Sequence, residues 1–361
     1  MENQKEVRQF LSSPEGMESP CRKWMKQTSI GGQAVLEGVM MRSPDATAIA
    51  VRRENGEIVT QKEPNKSIAK GNKFLSLPVI RGVVNFVEML FLGVKTITDS
   101  ARLYDPEMME DEKPSKAEEY IAEKTGKNAM DVAIFFSVVI AVGLAVVLFF
   151  ILPNLITGWI TPYVHSTFAK NLIDGLIRVG IFIAYMAAIT NMKEIRRLFG
   201  YHGAEHKVIN CYEHDLPLDT EHARTCSRLH PRCGTSFLLI VMTISIIIFS
   251  FLGWSENPWL RLALRLAMLP VVAGVSYEVL KLLAKKENAF TRALRKPGMA
   301  LQYLSTREPD DEMLEAAIVS FRAAEGALSE DEMDDLVRTY THSREPQAQE
   351  PAAAAAAAED I

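Results

Sequence analysis

Two runs of the chain are almost free of polar side chains. Residues 132–152 carry no charge, and residues 235–253 carry none either. A helix needs about 20 apolar residues to cross a bilayer, so each predicts a membrane span. Two further runs, 172–190 and 259–280, are apolar but interrupted, the first by Asp174 and Arg178, the second by Arg261, Arg265 and Glu278. These charges sit toward the ends, where long side chains reach the headgroup layer. The pattern therefore predicts four transmembrane helices, at 131–152, 172–190, 235–253 and 259–283. Ahead of them, the largely apolar residues 77–104 carry Arg81, Glu88 and Lys95, seven residues apart, with Asn85 nearby. A narrow polar stripe of this kind predicts an amphipathic helix, lying in the interface, packing against the bundle or dipping in as a re-entrant element.

Outside these runs the periodicity changes. ATAIAVRR and EIVTQK flank Glu54-Asn55-Gly56, which predicts a hairpin within a small cytosolic β element at 29–73. The segment 191–234 is polar and reads as a loop. Residues 284–340 form a C-terminal segment in which EPDDEMLEAAIVSFRAAE predicts an amphipathic helix with Met313, Ala317 and Val319–Phe321 on its apolar side, and SEDEMDDLVRTY a second short one. Residues 1–28, which lack the apolar core of a signal peptide, are expected to be flexible. The alanine-rich 341–361 are expected to be disordered. The fold class predicted is mainly α: a polytopic four-helix membrane protein with a small N-terminal β element, an interfacial helix and an acidic helical tail.

Charge sets the orientation. The composition, 48% hydrophobic and 24% charged, suits a chain divided between membrane and cytosol. Lysine and arginine gather before the first span (Lys113, Lys116, Lys124, Lys127), between the second and third (Lys193, Arg196, Arg197, Lys207, Arg224, Arg228, Arg232) and after the fourth (Lys281, Lys285, Lys286, Arg292, Arg295, Lys296). Both termini and the 191–234 segment are thereby expected in the cytosol. From Glu308 onward, 15 acidic residues face 3 arginines, a net of −12, which leaves +7 on the rest of a chain whose total is −5. The basic body is expected to meet membrane lipids, and the acidic tail is free for a protein partner. Nucleic acid is not an expected partner, and self-association into a homo-oligomer stays open.

The chemistry concentrates in one place. Five of the seven histidines and three of the four cysteines lie between His202 and Cys233. His202-Gly-Ala-Glu205-His206 fits H-x-x-E-H, in which two histidines four apart share a helix face and can hold one ion while the glutamate acts as a base. Gly200 and Gly203 weaken that helix by about 1 kcal/mol each relative to alanine. Cys226-x3-His230-x2-Cys233 adds soft ligands, either completing one site with the histidines or closing a second with Cys211, His214 or His222. Cytosolic cysteines favour free thiols or ligands over a disulfide. GGQAVLEG lacks the Gly-Lys-Ser/Thr ending of a phosphate-binding loop. Its Glu37, with Arg42 beyond it, is a further candidate for the site, against the alternative of a solvated loop carboxylate.

GGQAVLEGVMMRSP, RGVVNFVEMLFLGVKTITDSA, FGYHGAEHKVINCYE, RLHPRCGTSF and ALQYLSTREPDDEMLEAAI together resemble the successive signature blocks of the YqhQ family, bacterial membrane proteins of unassigned function. The resemblance spans about residues 28 to 320. It implies a multi-pass protein of the bacterial cytoplasmic membrane and a metal-dependent enzyme. The matching positions are Glu37 and Arg42, then His202, Glu205 and His206, then His230, Arg232 and Cys233.

Two functions follow as expectations. One is a metal-dependent hydrolase at the cytosolic membrane face. In it His202, His206, His230 and Cys233 hold zinc or another divalent metal, Glu205 is the base, and Cys226, Glu37 and Arg42 are secondary candidates. The other is a non-enzymatic assembly or docking module whose His/Cys segment is structural; transport ranks third.

Overall fold

The computed structural model describes residues 28–65, 74–106, 129–285 and 289–341. The N-terminus expected to be flexible, the alanine-rich end and Lys113 to Lys127 lie outside the described residues, Thr28 and Thr341 excepted.

The chain is mainly helical, with one small antiparallel sheet near its start. Strands β1 (Gly31–Val35), β2 (Gly38–Arg42), β3 (Ala46–Arg52) and β4 (Ile58–Pro64) form a meander in sequence order. The hairpin between β3 and β4 turns at Gly56, whose φ of 87° suits glycine. A second, two-residue hairpin joins β1 to β2, with Val35 opposite Gly38. Because side chains alternate across a strand, Val35, Met40, Ile49 and Val51 pack on one face of the sheet against Leu92, Leu103 and Tyr104 of α1 (Ile80–Tyr104). Val39, Met41 and Ala48 pack on the other, against α5 (Lys193–Glu213) and α11 (Asp311–Glu325).

Helix α11 is the acid-started helix of the C-terminal segment. Asp310 caps it, accepting from the Met313 amide at 2.9 Å, and Gly326 ends it at φ 68°. Every residue from Met313 to Phe321 is buried, so it is a core element and not an amphipathic surface helix. Small residues explain this: Ala316 and Ala317 face the sheet side that carries Ala48, and Ser320 donates to the Ala48 carbonyl at 3.1 Å. Arg52 of β3 reaches the same helix and pairs with Glu315 at 2.5 Å in the interior. The short α12 (Glu330–Tyr340) follows with a capping box at Ser329.

The apolar helices form the other half. Helix α2 (Ala129–Val146) runs through a π turn at Val147–Ile151 into α3 (Leu152–Ile160), and α4 is Thr167–Ile189. Val132–Tyr163, 32 residues, and Thr167–Ile189, 23 residues, are long and apolar enough to cross a membrane. Helix α7 (Gly234–Phe251) is apolar but shorter. A pair, α8 (Pro258–Ala267) and α9 (Leu269–Lys285), qualifies only if taken together across a 44° bend. Helix α7 packs against α4, α9 and α10 (Ala289–Ser305).

Helix α1 bridges the two halves. Its Gly82 lies against Gly274 and Tyr277 of α9, where any side chain would clash, and Arg81 clasps Glu278 through two hydrogen bonds of 2.7 and 2.5 Å. Farther along, Lys95 pairs with Glu63 of β4. Its polar stripe thus bonds to protein, while Phe86, Leu90, Phe91, Val94 and Ile97 stay exposed on the other side.

Candidate metal centre

The segment 191–234 is less a loop than expected. Its first half is α5, followed by the short α6 (Thr220–Thr225) and an extended return to Cys233, the N-cap of α7. The glycines that weaken α5 in isolation permit its packing. A methyl group on Gly203 would lie 2.0 Å from the Arg307 carbonyl oxygen, and one on Gly200 2.7 Å from the Met313 sulfur. This close approach lets the Arg307 amide donate to the Phe199 carbonyl at 2.8 Å.

The return segment is stitched to α5 by side chains on one helix face. Lys207 donates to the carbonyls of Arg224 at 2.9 Å and Cys226 at 2.8 Å; Asn210 donates to those of Ser227 at 2.7 Å and Leu229 at 3.1 Å. Gln302 of α10 clasps the main chain of His230 in both directions, each bond 2.8 Å.

That stitching brings His202, His206 and Cys233 together, with one ligand atom from each lying within 4.8 Å of the others. Their second bonds fix the tautomers. His202 Nδ1 is 2.7 Å from the Ser305 carbonyl oxygen, and His206 Nδ1 is 2.6 Å from that of Arg228. A carbonyl only accepts, so both δ nitrogens carry the proton and both ε nitrogens present lone pairs. His202 Nε2 lies 3.2 Å from Cys233 Sγ. His206 Nε2 is buried with no hydrogen-bond partner among the described residues. Burial pushes the His206 pKa down, against the pull of Cys233, so the imidazole is held neutral as a ligand must be. Cys233 Sγ accepts from the Thr235 amide at 3.4 Å, capping the head of α7.

The other candidates are placed differently. Glu205 is fully buried and accepts from the Gly32 amide of β1 at 3.0 Å. Burial raises its pKa, while His202, His230 and the Gly32 bond pull it down. It stands beside the three-ligand group and is not part of it. His230 stacks toward His206 with ring centroids 5.7 Å apart, but its Nε2 turns to Glu213 at 3.5 Å, and burial pushes its pKa down to about 4. Cys226 packs in the core with Cys211; Cys211 Sγ donates to the Pro217 carbonyl at 3.2 Å and Cys226 Sγ to the His222 carbonyl at 3.6 Å, and each thiol perturbs the other, holding Cys211 above and Cys226 below the ordinary range. Glu37, strained at φ 49° in the β1–β2 turn, is gripped by Arg197 and accepts from Tyr201 Oη at 3.3 Å. Arg42 points to Met89 Sδ at 3.1 Å on the exposed α1 side. His214 and His222 bond locally, to the Asn210 carbonyl and to Asp219.

Sequence reasoning missed Glu213, a buried carboxylate that holds Arg232, accepts from the Thr28 amide at 2.9 Å and faces His230. Its spacing from His206, seven residues on the same helix, was the available signal.

Residues 77–327 match the family described as "Protein of unknown function (DUF1385)". The "Uncharacterized protein YqhQ" of Bacillus subtilis (strain 168) is 35% identical over 292 residues, covering 81% of this chain and 90% of that relative. No solved structure matches the chain.

Proposed function

The chain belongs to this YqhQ-like DUF1385 family, and on that footing we propose a four-span membrane protein whose His202, His206 and Cys233 hold a divalent metal for hydrolysis at the cytosolic membrane face. The observation that carries the reading is the pair of imidazoles with δ nitrogens tied to carbonyls, gathered with one thiol within 4.8 Å, the His206 ε nitrogen buried and without a hydrogen-bond partner among the described residues. Three nitrogen and sulfur ligands with a fourth position left over are the set of a catalytic zinc, whereas structural sites close all four.

Four spans are supported by α2–α3, α4, α7 and the bent α8–α9 pair, together with the lysine and arginine distribution. In this reading α7 is one of the spans, and Cys233 at its head brings the cluster to the cytosolic boundary. A lipid headgroup or a membrane-near peptide is the substrate such a site meets first.

The chemistry a metal supplies when bound is Lewis acidity toward a carbonyl or phosphoryl oxygen and a lowered pKa of water. The protein's own part is proton handling. The Gly32 bond fixes Glu205 Oε1 and leaves Oε2 to take a proton from the water nucleophile and return it to the leaving group. Burial raises the affinity of Glu205 for that proton, in the direction a general base near neutral pH needs. His230, kept neutral by burial, puts no cation beside it.

One observation favours the non-enzymatic reading: Glu205 also seats β1, since a methyl on Gly32 would lie 2.8 Å from its Cγ. Glu205→Gln separates the two. Incubated with fluorogenic carboxylic-ester and phosphodiester lipids in mixed micelles, wild type is expected to turn over one class. The variant should keep its metal and lose turnover at least a hundredfold. A variant with wild-type turnover, or a wild type inert to both classes, refutes the hydrolase.

A further inference from the structure

The far end of α7, about 27 Å from Cys233 at 1.5 Å per residue, carries a second polar centre. Asp174 of α4 is buried between Arg265 Nη1 at 2.7 Å and Arg178 Nη2 at 3.2 Å, and accepts from Thr157 Oγ1 at 3.2 Å. Arg265 also donates to Asn171 Oδ1 at 3.3 Å. Arg261 donates to Asn154 Oδ1 at 2.6 Å, to the Ser255 carbonyl at 2.9 Å and to the Asn154 carbonyl at 3.3 Å. Three buried guanidiniums thus share one buried carboxylate. The next acid, Glu256, has an exposed side chain and is held by Lys170 at 2.9 Å. Arg178 Nε is buried with no hydrogen-bond partner among the described residues.

Guanidinium stays protonated in proteins, so this excess of two positive charges cannot be shed by a pKa shift. Buried charge of one sign calls for a counter-charge. Next to it lies a cavity of about 260 Å³, lined by Asn171, Phe249, Gly253, Trp254, Arg261 and Arg265. Pockets for drug-sized ligands run roughly 300–1,000 Å³, so this one suits something smaller. The Arg261 guanidinium lies 4.2 Å from the centroid of the Trp254 ring, which holds it in place.

From the buried positive excess and the adjoining cavity we infer that this is a binding site for a small phosphate-bearing anion, either an anionic phospholipid headgroup or free phosphate. Arg261 and Arg265 are its charged wall, and guanidinium forks suit phosphate oxygens. The inference does not depend on the metal centre.

The full chain in phosphatidylcholine nanodiscs tests it in two arms: titration with inorganic phosphate at constant ionic strength, and replacement of part of the lipid by phosphatidylglycerol. Intrinsic tryptophan fluorescence and thermal midpoint are the readouts. One arm is expected to give a saturable change, which identifies the source. That response should weaken at least tenfold in Arg261→Gln and Arg265→Gln, and equally in Leu264→Trp, which adds bulk at a further lining residue of the cavity and leaves the charges intact. No saturable response in either arm overturns the inference, and so does an undiminished response in folded Leu264→Trp.

Discussion

Gly203→Ala and Gly200→Ala make the same chemical change on the same helix and should act in opposite directions. Each gains about 1 kcal/mol of intrinsic helix propensity. At Gly200 the new methyl meets the Met313 sulfur, the far end of a flexible side chain that can swing away, so the variant should be as stable as wild type or slightly more so. At Gly203 it meets the Arg307 carbonyl oxygen at 2.0 Å, backbone that moves only if the 305–309 segment moves. Overpacking of this kind costs about 1–3 kcal/mol, and separating α5 from that segment gives up the Arg307–Phe199 backbone bond, about 0.5–1.5 kcal/mol more. Net destabilisation of about 0.5–3.5 kcal/mol is expected after the propensity gain. The effect reaches the metal centre, because the displaced segment includes the Ser305 carbonyl that orients His202. Loss of such a supporting bond typically weakens metal affinity about 10- to 100-fold. Thermal midpoints in detergent and competition against a zinc chelator measure both quantities. A Gly203→Ala protein with wild-type stability and metal affinity would refute the packing argument.

Three further substitutions probe separate contacts. Gln302→Ala removes both bonds to the His230 main chain in a buried setting, so a loss of about 2–4 kcal/mol is expected from chemical denaturation. Glu315→Ala leaves Arg52 buried without its carboxylate and should cost about 3–5 kcal/mol, while Glu315→Asp should recover part of it in the same assay. Cys226→Ser disrupts the packing with Cys211 but leaves the three-ligand group intact, so purified protein should keep its metal while its thermal midpoint falls.

What the sequence disclosed was local. The i, i+4 spacing of His202 and His206 required a helix, and α5 is one. The seven-residue polar stripe on residues 77–104 marked a helix with one bonded side, but its partners, Glu278 and Glu63, lie 197 and 32 residues away and no local pattern names them. The same limit separates Cys233 from Cys226. Both stand close to His230 in sequence, yet the carbonyl stitching by Lys207 and Asn210 turns one toward the histidines and leaves the other with Cys211. Helix α11 misleads for another reason. Acidic residues crowd its first turn, where they serve the cap and dipole, and the alanines that let it enter the core read as weak hydrophobics. The positive excess around Asp174 was visible only as one pair, Asp174 and Arg178, because Arg261 and Arg265 arrive from another helix.

The central claim, a metal held by His202, His206 and Cys233, is tested most directly by zinc K-edge X-ray absorption on the full chain purified in detergent and loaded with zinc. The expected spectrum has one sulfur near 2.3 Å and nitrogen or oxygen ligands near 2.0–2.1 Å per metal, with the sulfur contribution abolished in Cys233→Ser and unchanged in Cys226→Ser. A protein that binds no stoichiometric zinc, or a spectrum with two or more sulfurs per metal, contradicts it.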